Sequence, residues 1–385
     1  MPLNYLQLQP QIEQYSQRAA LNRQDLDAKL QTALELLHDC GRRHAELRLI
    51  LNERITTRQS SDRCALLSNE PANAVFDPVE PGLKYVLISS DGSQIVPSPH
   101  DALPVALVNT SRLCFKPGSG LAPQVEVFTR FLTDASGQIE IGEIKEDLIN
   151  LKRDVEEMRV LAEWQDDSEL PVIALGDGPL ELFHQPQNEA EFAKAFGMYQ
   201  AALGALHSKG CLAAGYTDRP RAALTAKMLE FVKNEGQRVN LDGLDDLALF
   251  SAVLKPGQRS AVFGLWSTSS QKYTGDLALH FFYLNVGSEK FPWLARVEIP
   301  AWVAFDAEQV SLLQRALLDQ CALMGTRPYP YLLHRSHEEA VVHFEEKEQL
   351  LARLALEMQR RGLGLSAQSN KLSAKELQSR TRMER

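Results

Sequence analysis

Two apolar, β-type runs in the sequence each end in an acid followed by glycine: residues 83–91 close on Asp91-Gly92-Ser93, and residues 170–177 close on Asp177-Gly178-Pro179-Leu180. Strands that end this way deliver carboxylates to one edge of a sheet, where they can converge in a crevice. Hard cations such as Mg²⁺ or Mn²⁺ take oxygen ligands, and two carboxylates with waters and a substrate phosphate complete an octahedral shell. An ion held so activates water and stabilises a leaving oxygen, which makes phosphodiester hydrolysis the natural reaction for the pair. Asp-Gly is also among the commonest turn dipeptides, so either motif alone reads first as an ordinary turn.

Between the two runs lie Asp154, Glu156 and Glu157, on a stretch where Ile144, Leu148, Leu151, Val155, Met158 and Ala162 recur at alternating spacings of four and three. That period predicts a helix from 138 to 164 with one apolar face. Asp154 and Glu157 lean to one flank of the apolar stripe and Glu156 to the other. Any one of them suits a solvated acidic face as well as a metal site. Near the end of the chain, Tyr329-Pro330-Tyr331 precedes His334 and His337 in a loop leading into a helix. A histidine there can act on water or a leaving group, since its unperturbed pKa lies near neutrality, or simply stand exposed at a first helical turn. The chain has no G-x-x-x-x-G-K-[ST] loop, no H-E-x-x-H and no G-x-S-x-G elbow, which removes several large enzyme classes.

The elements that must position these residues follow from periodicity. Residues 25–52 alternate charge with leucine at helical spacing, interrupted near Cys40 and Gly41, and predict a helical N-terminal arm. Residues 60–82 mix Ser, Asn, Asp, Pro and Gly and read as a surface linker. After the first acidic strand come β-type segments at 102–115 and 124–132, joined through Lys116–Gly120 as a hairpin turn. The helix described above, the second acidic strand, a helix over 189–209, a short strand over 211–216 and a helix over 220–234 complete an alternation that argues for an α/β core. Residues 279–286 and 293–305 resemble a hairpin pair in a β-rich insertion. Helical period returns over 307–324 and 336–361, and the polar, basic residues after 362 read as a mobile or partner-ordered tail.

Composition bounds the reading. With 44% hydrophobic and 24% charged residues, a chain of 385 residues is ordinary for a folded protein with a sizeable core. No stretch approaches the roughly 20 apolar residues of a membrane span, and the first 17 residues lack a basic region followed by an apolar run. Five scattered cysteines without C-x-x-C spacing fit a reducing cytoplasm. A formal net charge of −9 repels polyphosphate as a whole, so nucleic-acid binding requires a local basic surface. Carboxylates that hold cations count as negative in that total but are neutralised in use.

In their order and wording these motifs resemble the NurA family of DNA-repair nucleases, in its bacterial branch. The resemblance rests on Asp91-Gly92-Ser93, Arg153-Asp154-Val155-Glu156-Glu157, Asp177-Gly178-Pro179-Leu180, Gly215 to Arg221, Pro256 to Ser260, Arg296 to Pro300, and Tyr329 with His337. It implies an α/β, ribonuclease H-like mixed sheet flanked by helices, with a helical N-terminal arm and a β-rich insertion. The boundaries it suggests are an arm and linker over 1–82, a nuclease domain over 83–362 and a tail over 363–385. It further implies Mn²⁺ or Mg²⁺ as cofactor, exonuclease and single-strand endonuclease action on DNA, a homodimer, and partnership with a HerA-type hexameric ATPase. Carried over residue by residue, Asp91, Glu157 and Asp177 would be metal ligands, with Glu157 preferred because it sits four beyond Arg153. His337 would be a further metal ligand and a catalytic group of that site, with Tyr329 beside it as another catalytic residue. Asp246 resembles a further acidic position of unassigned role, and Asp218 lies near a point where some relatives carry a basic residue. Arg219, Arg221 and Lys227 are the candidates for the local basic surface. A non-catalytic docking subunit of a DNA motor, or a phosphatase acting on small esters, are the alternatives.

Overall fold

The computed structural model describes residues 3–57, 63–97, 105–132, 145–165, 169–182, 189–233 and 239–362. The chain opens with helices α1 (Tyr5–Arg42) and α2 (His44–Thr56), then strands β1 (Cys64–Leu67) and β2 (Val75–Phe76). Next come β3 (Val86–Ile95), β4 (Leu107–Phe115), β5 (Gln124–Phe131), α3 (Glu146–Ala162) and β6 (Val172–Asp177). Helix α4 (Glu189–Ser208) leads to β7 (Leu212–Asp218), followed by the short helices α5 (Leu224–Leu229) and α6 (Asp246–Ser251). Strands β8 (Arg259–Ser260), β9 (Phe263–Trp266), β10 (Leu279–Asn285) and β11 (Leu294–Pro300) precede α7 (Ala301–Ala304), α8 (Ala307–Ala322), α9 (Tyr331–Ala340) and α10 (Phe344–Arg360).

These elements form two compact units. One comprises Leu83–Asp177, Leu182–Ala214 and Pro330–Arg385. Its strands lie in the order β5-β4-β3-β6-β7, the last through its first residues. β3 pairs antiparallel with β4 and parallel with β6, and β4 pairs antiparallel with β5, so the sheet is mixed. Alternation along β3 separates its two faces. Ser90 and Gln94 bond to α3, through the Glu157 carbonyl and the Asn150 side chain, whereas Ser89 and Asp91 bond to α9, through the Leu332 carbonyl and His337. Helices therefore cover both faces, α3 on one and α9 on the other. This is the ribonuclease H-like α/β arrangement the sequence suggests.

The other unit comprises Met1–Gly82, Gly178–Glu181 and Gly215–Tyr329. Its strands lie in the order β1-β9-β10-β11-β7, the last through Gly215–Asp218. β10 and β11 form the expected hairpin, in register from Leu279↔Pro300 to Asn285↔Leu294. Its core is aromatic, with Phe250 stacked on Tyr283 at 4.5 Å and Phe263 on Phe281 at 5.7 Å. Buried Arg259 lies 3.8 Å from the Phe76 ring centroid and bonds both Glu70 oxygens, so the segment from Pro256 to Ser260 is used in packing.

Several expectations need correction. Residues 60–82 are not simply a linker: β1 pairs with β9 and β2 with β8, strands too short to show a period and partnered far along the chain. The helix expected over 220–234 is only Leu224–Leu229. That over 336–361 is two helices, α9 starting earlier at Tyr331 and α10 at Phe344. The N-terminal helix breaks at Arg43 and not at Cys40–Gly41. The start of the helix expected from 138, with Ile144, and the tail after 362 lie outside the described residues. Among the described residues no helix is long and apolar enough to cross a membrane, and all five cysteines are buried free thiols.

Candidate active site

The first acidic motif is not a turn. Asp91 and Gly92 lie in the middle of β3, which continues to Ile95 and pairs with β4 throughout. An ideal Cβ on Gly92 would stand 2.6 Å from Glu157 Oε1 and 2.7 Å from Arg153 Cγ, so the glycine is there to let α3 bring those side chains against the strand. The second motif is a turn: Asp177 ends β6, and Gly178 takes φ +90°, a conformation that favours glycine. The parallel ladder between β3 and β6 ends at Ser90↔Gly176. Asp91 and Asp177 are the next residue on each strand, just past the last registered pair, and both charges act on Glu157.

Asp91 uses both of its oxygens. Oδ2 meets His337 Nδ1 at 2.7 Å, and Oδ1 accepts the Gly92 N–H at 2.8 Å. His337 stands in the last turn of α9, not the first turn of a helix, and its side chain is 62% exposed. Glu157 reaches the strand from the α3 side, its carboxylate 3.2 Å from Arg153 Nε. Arg153 also bonds Asp154 at 3.0 Å and Gln94 at 3.1 Å. Burial holds the Glu157 carboxyl well above its ordinary pKa. The Asp154 charge adds to the shift, Arg153 opposes it, and Asp91 and Asp177 add to it further. Glu156 is engaged elsewhere, with Arg159 at 2.6 Å and Arg130 at 3.3 Å.

The site therefore concentrates carboxylates that raise one another's pKa, and the Arg153 guanidinium opposes that effect at Glu157. Oxygen donors of that kind suit a hard divalent cation, and Asp91, Glu157 and Asp177 are the residues that could hold one. Among the described residues no three His, Cys, Asp or Glu side chains are gathered closely enough to enclose an ion. Asp91 turns to the α9 face, where it meets His337, whereas Glu157 reaches β3 from the α3 face beside Arg153. Arg153, which the sequence reading used only to choose Glu157 by its spacing of four, lies against the Glu157 carboxylate itself.

The remaining candidates lie in the other unit. Tyr329 packs edge-on against Tyr216, with ring centroids 5.6 Å apart. Asp246 is wholly buried, accepts the Thr225 and Ala226 amides and the Tyr283 hydroxyl, and so caps α5. Asp218 accepts the Trp293 indole N–H at 2.6 Å. Arg219 is exposed, holds φ +43°, and lies 4.8 Å from the centroid of the Trp293 ring. Arg221 is exposed, and Lys227 on α5 is half-buried.

A mixed sheet that carries acids on adjoining central strands, with one helix bearing a carboxylate and another a histidine, belongs to the ribonuclease H-like class. Within it, the model of the NurA domain matches residues 86–342, and the chain belongs to the NurA family of nucleases. The crystal structure of the NurA nuclease from Sulfolobus solfataricus is similar in fold, with a TM-score of 0.50 and 12% identity over 74% of this chain and 88% of that one. Human ENDOV aligns at a TM-score of 0.34 and 14% identity over 71% of this chain and 86% of that one. Ciona intestinalis endonuclease V, in complex with an inosine-containing DNA, aligns at 0.34 and 10% identity over 69% and 87%. No curated protein matches the sequence.

Proposed function

We propose that this chain is a divalent-metal-dependent deoxyribonuclease, and that Asp91, Glu157 and Asp177 hold Mn²⁺ or Mg²⁺. The observation that carries the reading is the hydrogen bond of 2.7 Å between His337 and Asp91, next in register to Asp177 on the parallel strand. When bound, the cation supplies activation of water and stabilisation of charge on the phosphate. The protein's own groups do the rest. Asp91 anchors Nδ1 of His337, which orients the ring and leaves Nε2 as the atom that exchanges a proton with water or the leaving oxygen. Arg153 keeps the Glu157 carboxylate against Gly92 and offsets the repulsion among the acids. Arg219, Arg221 and Lys227 supply local positive charge for the DNA backbone.

Family membership supports the rest of the proposal: exonuclease action on DNA ends, endonuclease action on single strands, a homodimer, and work beside a HerA-type hexameric ATPase. The decisive experiment compares cleavage of labelled linear DNA with Mn²⁺ and with chelator, for the wild type, Asp91→Asn and Asp177→Asn. Each substitution is expected to lower cleavage at least 100-fold, in the range that loss of a group essential to charge stabilisation produces, about 10²–10³. Near-normal cleavage by either variant overturns the site. Tight binding to an ATPase without any metal-dependent cleavage by the wild type would indicate a docking subunit instead.

A further inference from the structure

Strand β4 carries Asn109, Thr110, Ser111 and Arg112, four polar residues in succession, all buried in a central strand. Neither alternation nor the acidic site accounts for them. Arg112 turns to the α3 face, where it donates to the Val160 carbonyl. Ser111 and Asn109 turn to the α9 face, opposite Asp91 and Ser93 in register.

On that face the sheet meets the main chain of α9 at intervals of one turn. The Leu332 carbonyl accepts from Ser89 Oγ at 3.2 Å, the Ser336 carbonyl from Ser111 Oγ at 2.7 Å, and the Ala340 carbonyl from Asn109 Nδ2 at 2.8 Å. Ser93 Oγ also donates to the Ala340 carbonyl and accepts the Val342 N–H at 3.2 Å. Thr129 Oγ1 donates to Asn109 Oδ1, which sets the direction of the amide. The Ala340 carbonyl lies in the last helical turn, where intrahelical donors run out, so Asn109 and Ser93 satisfy it from the sheet. Few apolar side chains share the work: only Leu332, Leu333 and Ala340 of α9 are buried apolar residues.

Apolar contact is non-directional and tolerates sliding, whereas hydrogen bonds hold both distance and angle. A slip of α9 by one turn would carry His337 about 5.4 Å along the helix axis, far beyond its bond to Asp91. We propose that Ser111, Asn109 and Ser93 are positioning residues that lock the register of α9 on the sheet and thereby place His337 over Asp91. The proposal rests on the nuclease reading above.

The test measures kcat and KM of Ser111→Ala on single-stranded DNA with Mn²⁺, together with the ¹H–¹⁵N spectrum of the histidine side chains in the metal-free protein. The His337 resonance is assigned from its loss in His337→Ala. The expected result is a fall in kcat of more than threefold with KM held within twofold, and a His337 Nδ1 resonance that moves toward that of a solvent-exposed ring. A kcat within threefold of wild type, a change carried by KM, or an unmoved resonance overturns the proposal. If Ser111→Ala does not fold, Ser93→Ala at a half-buried position takes the same readouts. An active His337→Ala would sink the catalytic role of the histidine itself. An inactive His337→Ala beside an unaffected Ser111→Ala would sink only the positioning role.

Discussion

The two faces of β3 are covered by helices held in different ways. α3 lays Leu148, Ile149, Leu151, Val155, Met158, Val160, Leu161 and Ala162 into the interior, an apolar stripe that secures the helix by area. α9 buries far less apolar surface and is met by hydroxyl and amide donors at its carbonyls. Area supplies stability, while directed bonds supply registration. The helix that carries Glu157 is fixed locally by the close approach at Gly92, and the helix that carries His337 by a line of polar anchors.

The largest expected effect breaks the α3 side. Gly92→Ala puts a methyl group 2.6 Å from Glu157 Oε1 and 2.7 Å from Arg153 Cγ, so the Glu157 and Arg153 side chains must move off the strand. Misplacement of about 1 Å can cost about 10²-fold in rate, and a loss of that order is expected in Mn²⁺-dependent cleavage with helical circular dichroism retained. Wild-type turnover would show that the closeness of Glu157 to the strand is irrelevant to activity.

A second substitution sharpens the contrast between area and direction. Leu151 is wholly buried, and Leu151→Ala should lower stability to urea by about 2–5 kcal/mol. Below the unfolding transition its kcat should stay within about twofold of wild type. Ser111→Ala should show the reverse balance, with a stability loss of about 1–3 kcal/mol and the kcat defect described above. Equal profiles for the two variants would erase the distinction.

The smallest effect is a pH dependence on the α3 side. The carboxyl of Glu157 titrates above its ordinary value of 4.5 in the folded chain, chiefly through burial. The folded state therefore holds this proton to higher pH than the unfolded state does. Its contribution to stability is full below 4.5 and is lost as pH rises through the raised folded value. Glu157→Gln should flatten that decline, so the metal-free variant melts higher than wild type above this range. Thermal melts in chelator across pH measure it, and a lower-melting variant would mean that the pair with Arg153 outweighs burial.

Periodicity was enough for several of the longer elements, though it missed the start of α1 at Tyr5. The apolar stripe of α3, the two acidic strands and the hairpin of β10 and β11 each show a repeat within one segment. β1 and β2 escaped because four and two residues carry no period, and the partner of β1 lies about 200 residues away in the chain. Asp246 looked chemical by type, yet only the folded chain shows it spent on the Thr225 and Ala226 amides.

Residue types and spacings alone determined that acids on two strands, an acid on the helix between them and a late histidine belong to one α/β protein, because local pattern dictates local structure. Only the tertiary structure decided that Asp91 sits inside a strand, that Gly92 is a point of contact and not a turn, and that His337 ends its helix. Those outcomes depend on which face of β3 meets which helix, and side chains hundreds of positions apart settle that by fit and by directed hydrogen bonds.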